Sequence, residues 1–578
     1  MANNKRRGIG RIGVVIFWLL IGMALRAWQF GWFPLREDEA LYSYWARLIS
    51  SGRDVMLERV AVDKPPFFIY TLARWFDWFG PGDASGRSLN LLISFLTLIL
   101  VWLLARRLFG PRAGRWSLAM FALSPFAISF APTVYTDPML TLWIVLALLA
   151  ASWRLGLLAG LALGMGFATK QNALLFIPLI LLALPLGRWP RWGEERYSRI
   201  RNRLKAKKGA GRWILGVGYW ALPILLAALG FWFIWYKVWQ WDGWRILPAE
   251  IPDFWTQSWH SYGGLGLAPL VEWPVRLAAW GEVWRWWGGS PAGTAVVAGL
   301  SIAAVVAAWR ASADTEENDR GPRTEEGNTR LFGLRSPVFR LFSEQYSADS
   351  ERSETASALP VFCWILLFAA FAAGYLALHV ILGFQAWDRY LLPLTPLSAM
   401  LSGYGALWLW EQARGWRSIW RWGGAALIAL SFIWGAGRAA SAQIPVGGDH
   451  GAYSGLVAVA DYLRENTPDY HGVAYQRWLG WQWDWYLWDG PPRAYWADPD
   501  MLIDDLASDR YGYTRFVVFP GWRLDEKPAL DRALSDAGLH LEERLRVTDD
   551  ETGETKFVVY EIEPHIRPAL PTEIGHPK

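Results

Sequence analysis

Apolar residues along this chain come in long unbroken runs, without the three-to-four spacing of a half-buried helix or the alternation of a half-buried strand. After Lys5-Arg6-Arg7 one such run extends from about Ile12 to Trp32. Others lie near 88–105, 115–131, 138–153, 155–168, 172–186, 213–238, 292–309, 359–383, 390–410 and 424–440. A straight helical crossing of the hydrocarbon core takes roughly 20 apolar residues, so the runs predict about 11 transmembrane helices, several of them short. The first run has the basic flank of a signal peptide, but it is too long and no small-residue cleavage site follows. It is read as an uncleaved span with its N-terminus in the cytoplasm. Residues 441–578 break the pattern, with helix-like 453–465 and 527–538 alternating with strand-like Arg515–Pro520 and Lys556–Ile562. The expected fold class is an α-helical integral membrane protein over 1–440 with a C-terminal extracytoplasmic α/β domain over 441–578. No internal repeat at a fixed period is visible.

Composition agrees and narrows the class. Hydrophobic residues make up 53% of the 578 and charged residues 19%, against roughly 25% charged in a soluble domain. The 42 Trp suit rings held where an apolar medium meets water. Cys363 is the one cysteine, which rules out an intrachain disulfide framework and any multi-cysteine zinc site. A soluble enzyme, a secreted disulfide scaffold and a disordered chain are all excluded, and the partners expected include the lipid bilayer and no nucleic acid.

Charge then orients the spans. With the N-terminus inside, alternate connections should be basic. They carry Arg106, Arg107, Arg112 and Arg115; Arg154; ten Lys/Arg against Glu194 and Glu195 over 188–212; and Arg414, Arg417 and Arg421. The connection 310–358 is charged, mixed in sign and poor in aromatics, which predicts a disordered cytoplasmic loop. Residues 441–578 hold 24 Asp/Glu and 13 Lys/Arg, a net of −11, which leaves 44 basic and 28 acidic residues, a net of +16, before them. An odd number of spans puts that acidic tail outside. With no retrieval signal and a single cysteine, the expected location is a bacterial cytoplasmic membrane.

Ionisable residues gather in the connections predicted to lie outside. The first of these, about 33–86, reads REDEALYSYW at 36–45 and VDKPPFF at 62–68. Later ones read PTVYTDPML at 132–140, ATKQN at 168–172, WHSYGG at 259–264 and WDRYLLPLTP at 387–396. Charged groups next to apolar spans are costly to bury, so they mark function unless a local role absorbs them. Each has such a local role open to it. Asp38 and Glu39 suit a helix's first turn, and Asp137 before Pro138 suits a helix start. Asp63-Lys64 before two prolines suits a turn with a surface ion pair. Lys170 suits a snorkelling interface lysine, Arg389-Tyr390 an interface anchor, and His260 an amphipathic stretch lying on the membrane. Six such features on one face of the membrane favour a reaction centre over six separate coincidences.

Taken in chain order, these motifs resemble the GT-C superfamily of polyprenyl-phosphate-sugar-dependent glycosyltransferases, and within it the lipid A aminoarabinose transferases and the protein O-mannosyltransferases. The resemblance covers roughly residues 10–410. It rests on Asp38-Glu39-Ala40-Leu41-Tyr42, Asp63-Lys64-Pro65-Pro66, Thr136-Asp137, Thr169-Lys170 and Arg389-Tyr390 with its following prolines. The resemblance implies a GT-C type membrane domain whose catalytic loop is the first external one. It also implies a catalytic acid residue there, at the position of Asp38. In the aminoarabinose transferases an acidic residue beside the motif lysine looks like a metal ligand, which Asp63 matches, with His260 a second candidate for a divalent metal. The additional lumenal module of the protein O-mannosyltransferases is not recognised here. The Trp-rich 481–490 does not match the Trp-Trp-Asp signature of the oligosaccharyltransferases.

The chemistry expected is transfer of a sugar from a polyprenyl-phosphate donor to an acceptor hydroxyl outside the cytoplasm, on a lipid, a glycan or a protein. The lipid phosphate is already a good leaving group, so the protein needs a carboxylate for the acceptor hydroxyl and cations for the departing phosphate, without a required cofactor. Asp38 is the expected base, with Glu39 also catalytic. Lys64, Lys170 and Arg389 are the expected phosphate ligands, and Asp137, Tyr42 and Tyr390 support them. The alternative is a transporter or flippase of lipid-linked sugars. That function should place charges near the bilayer midplane between repeated halves, which this chain does not display.

Overall fold

The computed structural model describes residues 2–188, 211–261, 266–318, 358–383, 385–447, 451–467, 471–508, 513–549 and 552–564. It divides the chain into two compact units. One comprises Met1–Phe30, Asp54–Thr71 and Arg87–Gly448; the other comprises Gly31–Arg53, Leu72–Gly86 and Asp449–Lys578. Two pieces of the connection over 33–86 therefore belong to the same unit as residues 451–564.

The first unit is helical. Among the described residues, five helices are long and apolar enough to cross a membrane: Asp83–Ala122, Ala221–Trp244, Pro291–Ala313, Pro360–Ile381 and Ser418–Ala440. The apolar helices Asp137–Ser152, Gly156–Thr169 and Gln171–Leu186 are shorter. Asp83–Ala122 is two helices joined at Gly110, whose φ of 88° is open to glycine, with Pro111 behind it. The chain reverses so tightly there that a Cβ on Gly114 would come within 2.9 Å of the Arg106 backbone. Beyond it, the run expected over 115–131 is interrupted after Ala122, and Pro125 opens a short helix, Pro125–Ser129. Of the loop expected to be disordered, residues 310–318 instead extend the helix Pro291–Asn318. The rest of that loop, 319–357, and most of the basic connection, 189–210, lie outside the described residues.

Close packing is set by small residues. Gly156, Gly160 and Gly164 recur every four positions on one face of Gly156–Thr169, against the helix Gly211–Trp244. A Cβ on Gly156 or Gly160 would lie 1.9 Å from the carbonyl oxygen of Pro223 or Ala227. Where surrounding lipid is as apolar as the helices, such backbone approach supplies the attraction.

The basic residues collect at one end of the helices. Arg107 donates to the Arg188 carbonyl at 2.9 Å, and buried Arg154 donates to Pro185 at 3.2 Å. Arg112 pairs with Glu411 at 3.4 Å. Arg154 joins Asp137–Ser152 to Gly156–Thr169, so Asp137 and Lys170 lie at that hairpin's other end.

The second unit is built on a five-stranded sheet: β1 (Gly472–Gln476), β2 (Arg493–Tyr495), β3 (Thr514–Pro520), β4 (Leu539–Thr548) and β5 (Thr555–Pro564). Their order is β2-β1-β3-β5-β4, with β2, β1 and β3 parallel and β5 antiparallel to both neighbours. Alternation along β3 fills both faces. Phe516 and Val518 pack with Leu456, Val459 and Trp483, while Val517 and Phe519 pack with Trp496, Leu530 and Leu534. Helices Leu456–Asn466 and Lys527–Asp536 cover opposite sides. Strand β4 escaped the sequence reading because it is a charged edge, its Arg544 paired with Glu542, Glu561 and Glu563.

Packing by glycine gives the first prediction. Gly160→Leu should destabilise the purified protein by about 1–3 kcal/mol through overpacking against a backbone that cannot retreat. Gly299→Leu, on a helix face with nothing within 4 Å of the added Cβ, should leave it unchanged. Thermal unfolding in detergent compares the two, and an equal response contradicts the packing argument.

Candidate functional site

The polar residues of the first unit converge where helices end. Pro138 sets the first turn of Asp137–Ser152, with Asp137 at its head. Gly156–Thr169 ends as Lys170 turns extended, at φ −159° and ψ 135°. Its ammonium then reaches back to Asp137, donating at 2.6 Å to Oδ1 and 2.8 Å to Oδ2. Both side chains are buried, at 1% and 2% exposure. Lys170 is thus no snorkelling lysine, and the Asp137 carboxylate serves a partner 33 residues away.

Lys170 anchors the rest. Its Nζ lies 4.5 Å from the centre of the Tyr390 ring, and the Tyr390 carbonyl accepts from the Tyr375 hydroxyl at 2.8 Å. The Arg389 guanidinium lies 4.7 Å from the Tyr135 ring and 5.1 Å from that of Trp387. Asp388 holds this turn, accepting from the Arg389 amide at 2.7 Å and the Gly447 amide at 2.8 Å. On another side Lys64 pairs with Asp63. Gln171 stitches that pair to the Lys170 turn, donating to the Asp63 carbonyl at 2.5 Å and to Ser258 Oγ at 2.8 Å.

Lys64 and Arg389 both lie close enough to Lys170 to repel its charge. Burial lowers the Lys170 pKa to about 8, Asp137 opposes that, and Arg389 and Lys64 add their repulsion. At neutral pH Lys170 remains a cation because Asp137 neutralises it. Three cations, Lys64, Lys170 and Arg389, and three carboxylates, Asp63, Asp137 and Asp388, meet in a site largely withdrawn from water, and the Asp388 carboxylate is taken up by two backbone amides.

The acidic motif belongs to the second unit. Glu37–Ser50 begins with Glu37, Asp38 and Glu39, all in the first turn where the helix dipole favours them. Glu39 is buried and accepts from the Arg36 amide at 3.2 Å, closing the helix start. The Tyr453 hydroxyl donates to Glu37. Asp38 is partly exposed, while Tyr42 is buried with its ring 5.9 Å from that of Trp45. The Trp-rich 481–490 packs within this unit: Trp483 is buried, and Trp485 stacks on Phe76 and donates to Asp83 at 2.8 Å.

For a metal, the residues fit poorly. Asp63 pairs with Lys64, and His260 is exposed near the end of Phe254–Ser261. Among the described residues, the one group of three ligand-type side chains is His540, Glu542 and Glu563 on β4 and β5, and its carboxylates are already bound by Arg544. Sequence reasoning did not single out Gln171, Tyr375, Tyr135 or Asp388. Three of them sit inside the quoted motifs; Tyr375 shows only as a hydroxyl within an apolar run.

Known proteins match part of this sequence and most of its fold. The dolichyl-phosphate-mannose-protein mannosyltransferase family matches residues 63–198, from Asp63 through Asp137, Lys170 and Gln171. An undecaprenyl phosphate-alpha-4-amino-4-deoxy-L-arabinose arabinosyl transferase of Photorhabdus laumondii is 26% identical over 205 residues, 32% of this chain and 36% of that protein. The enzyme of that name from Pseudomonas aeruginosa is 29% identical over 216 residues, 34% of this chain and 35% of its own. The chain thus matches about a third of the length of these relatives. Crystal structures of ArnT from Cupriavidus metallidurans cover nearly all of both chains. The apo form has a TM-score of 0.53 at 13% identity over 97% of this chain and 98% of its own. The form bound to undecaprenyl phosphate has 0.51 at 12% identity over 96% and 97%. Over nearly its whole length this integral membrane protein shares the fold of the ArnT structures, and its residues 63–198, with Lys64 and Lys170, are similar to the dolichyl-phosphate-mannose-protein mannosyltransferase family.

Proposed function

We propose that this protein is a membrane glycosyltransferase that moves a sugar from a polyprenyl-phosphate donor to an acceptor hydroxyl on the extracytoplasmic side of a bacterial cytoplasmic membrane. The observation that carries the reading is the buried cluster of Lys64, Lys170 and Arg389 at the ends of apolar helices. A lipid-linked phosphate presents its charge at that depth, where its tail can remain in the bilayer. The relatives are named for an undecaprenyl phosphate-linked sugar, and one structure of the shared fold holds undecaprenyl phosphate.

In this reaction the bond from the sugar's anomeric carbon to the phosphate oxygen breaks, and a bond from that carbon to the acceptor oxygen forms. The acceptor proton passes to a carboxylate, assigned to Asp38 by the resemblance and by its partial exposure. The electron pair leaves with the polyprenyl phosphate, whose added charge Lys64, Lys170 and Arg389 stabilise. Arg389 offers a planar pair of donors to two phosphate oxygens. Asp137 keeps Lys170 charged and aimed, and Tyr390 supports it from below its ring face. Glu39 serves through the helix start that presents Asp38. The acceptor class, whether lipid, glycan or protein, is left to experiment.

Membranes supplied with labelled polyprenyl-phosphate sugars test this directly. Wild type should move label into a new acceptor, and Asp38→Asn at unchanged abundance should lose about 10²–10⁴-fold of that rate. Label crossing the membrane without a new linkage, equally in both proteins, points instead to a flippase. A second prediction separates folding from function. Lys170→Met strands a buried carboxylate and should cost about 3–5 kcal/mol. Adding Asp137→Asn should restore most of that stability without restoring transfer, as read by melting temperature and the same label assay.

A further inference from the structure

The turn that carries Asp63 and Lys64 lies in an irregular stretch between Glu37–Ser50 and Pro66–Phe79. Irregular backbone beside a membrane must find its hydrogen bonds within the protein. Asp54 satisfies part of this one, its carboxylate accepting from the Glu58 and Arg59 amides at 2.8 Å each. Leu57 adopts φ 54° there, a left-handed backbone that a leucine takes only when its surroundings hold it.

Arg245 does the holding. It follows the helix Gly211–Trp244, and its side chain is buried. Nε and Nη2 donate to the Leu57 carbonyl at 3.2 and 2.5 Å, Nη2 also to Val60 at 3.2 Å. Nη1 donates to Asp242 Oδ1 at 3.1 Å, and that oxygen also accepts from the Phe254 amide at 3.0 Å. The guanidinium lies 5.0 Å from the centre of the Trp241 ring. One side chain therefore ties the end of a transmembrane helix, the strained loop before Asp63-Lys64 and the first residue of Phe254–Ser261. That last helix supplies Ser258, which with the Asp63 carbonyl fixes Gln171 beside Lys170. Both lysine turns thus hang from the Asp242–Arg245 pair.

Resting on the donor reading above, we infer that Arg245 is a positioning residue that sets Lys64 and the Lys170 turn to receive the donor phosphate. It touches neither lysine nor any site reserved for the lipid phosphate. Its effect passes through the carbonyls of Leu57 and Val60, which fix where the following residues run. Lysine at this place offers no fork to span Asp242 and two carbonyls, so the geometry calls for arginine.

Binding of undecaprenyl phosphate to the full-length protein in nanodiscs provides the test, with wild type, Lys64→Met, Arg245→Gln and the double variant compared. Either single change should weaken binding about ten-fold, and the double should lose clearly less than the product of the two, because in Lys64→Met only the Lys170 turn is left for Arg245 to position. Arg245→Lys, which keeps the charge and the Asp242 contact, should fold as wild type and recover only part of the affinity. It stands in for Arg245→Gln in the double variant if the latter does not fold. Independent losses that multiply in the double, or wild-type binding by Arg245→Gln and Arg245→Lys, overturn the inference. Wild-type protein that binds no undecaprenyl phosphate overturns the donor reading instead, and the two failures are told apart by that single control.

Discussion

Burying a charge is the constraint around which the membrane unit is arranged. An isolated ammonium or carboxylate withdrawn from water is worth many kcal/mol against folding, and only a well-formed pair makes it tolerable. The Asp137–Lys170 pair meets that condition with two short hydrogen bonds. It also closes the open end of a helical hairpin whose other end turns at Arg154. The carboxylate is committed to Lys170, and Lys64 and Arg389 come with acids of their own, Asp63 paired to Lys64 and Asp388 holding the turn of Arg389.

Close backbone packing gives that arrangement its rigidity. Gly156, Gly160 and Gly164 bring their helix against Gly211–Trp244 with no room for a side chain. That second helix runs on to Asp242 and Arg245, so the same interface which fixes the Lys170 hairpin carries the residues that hold the loop before Lys64. Aromatic rings fill the remainder: Tyr390 under Lys170, Tyr135 and Trp387 about Arg389. The surplus of tryptophan is thereby partly a structural material and not only an interface belt.

In the second unit a different economy holds. Its sheet is an ordinary α/β core, with β3 buried on both faces. The acidic helix start is held by Glu39 on Arg36 and by Tyr453 on Glu37, and the Trp485 and Tyr486 pair both bind Asp83. Within 481–490, Trp483 and Trp485 are committed to this packing.

Much of this was written in the sequence. Long apolar runs, basic residues at alternate connections and the hydrophobic strands Arg515–Pro520 and Lys556–Ile562 are local properties, set by transfer free energy and by the period of the element, and they survive without knowledge of neighbours. The residues proposed to receive the donor phosphate were visible too, as lysines and an arginine at the edges of spans. What they do there was not. An aspartate before proline reads the same whether it starts a helix or neutralises a buried lysine 33 residues away. A glutamine beside that lysine gives no sign that it bridges Asp63 and Ser258. Short β1 and β2 offer too few residues to show a period, and in the charged edge β4 the alternation of Leu539 and Leu541 with Leu545 and Val547 changes face at the irregularity between Glu543 and Leu545. Those outcomes depend on which groups meet when the chain folds, and a charge or a hydrogen bond takes its meaning from its partner, which only the tertiary structure supplies.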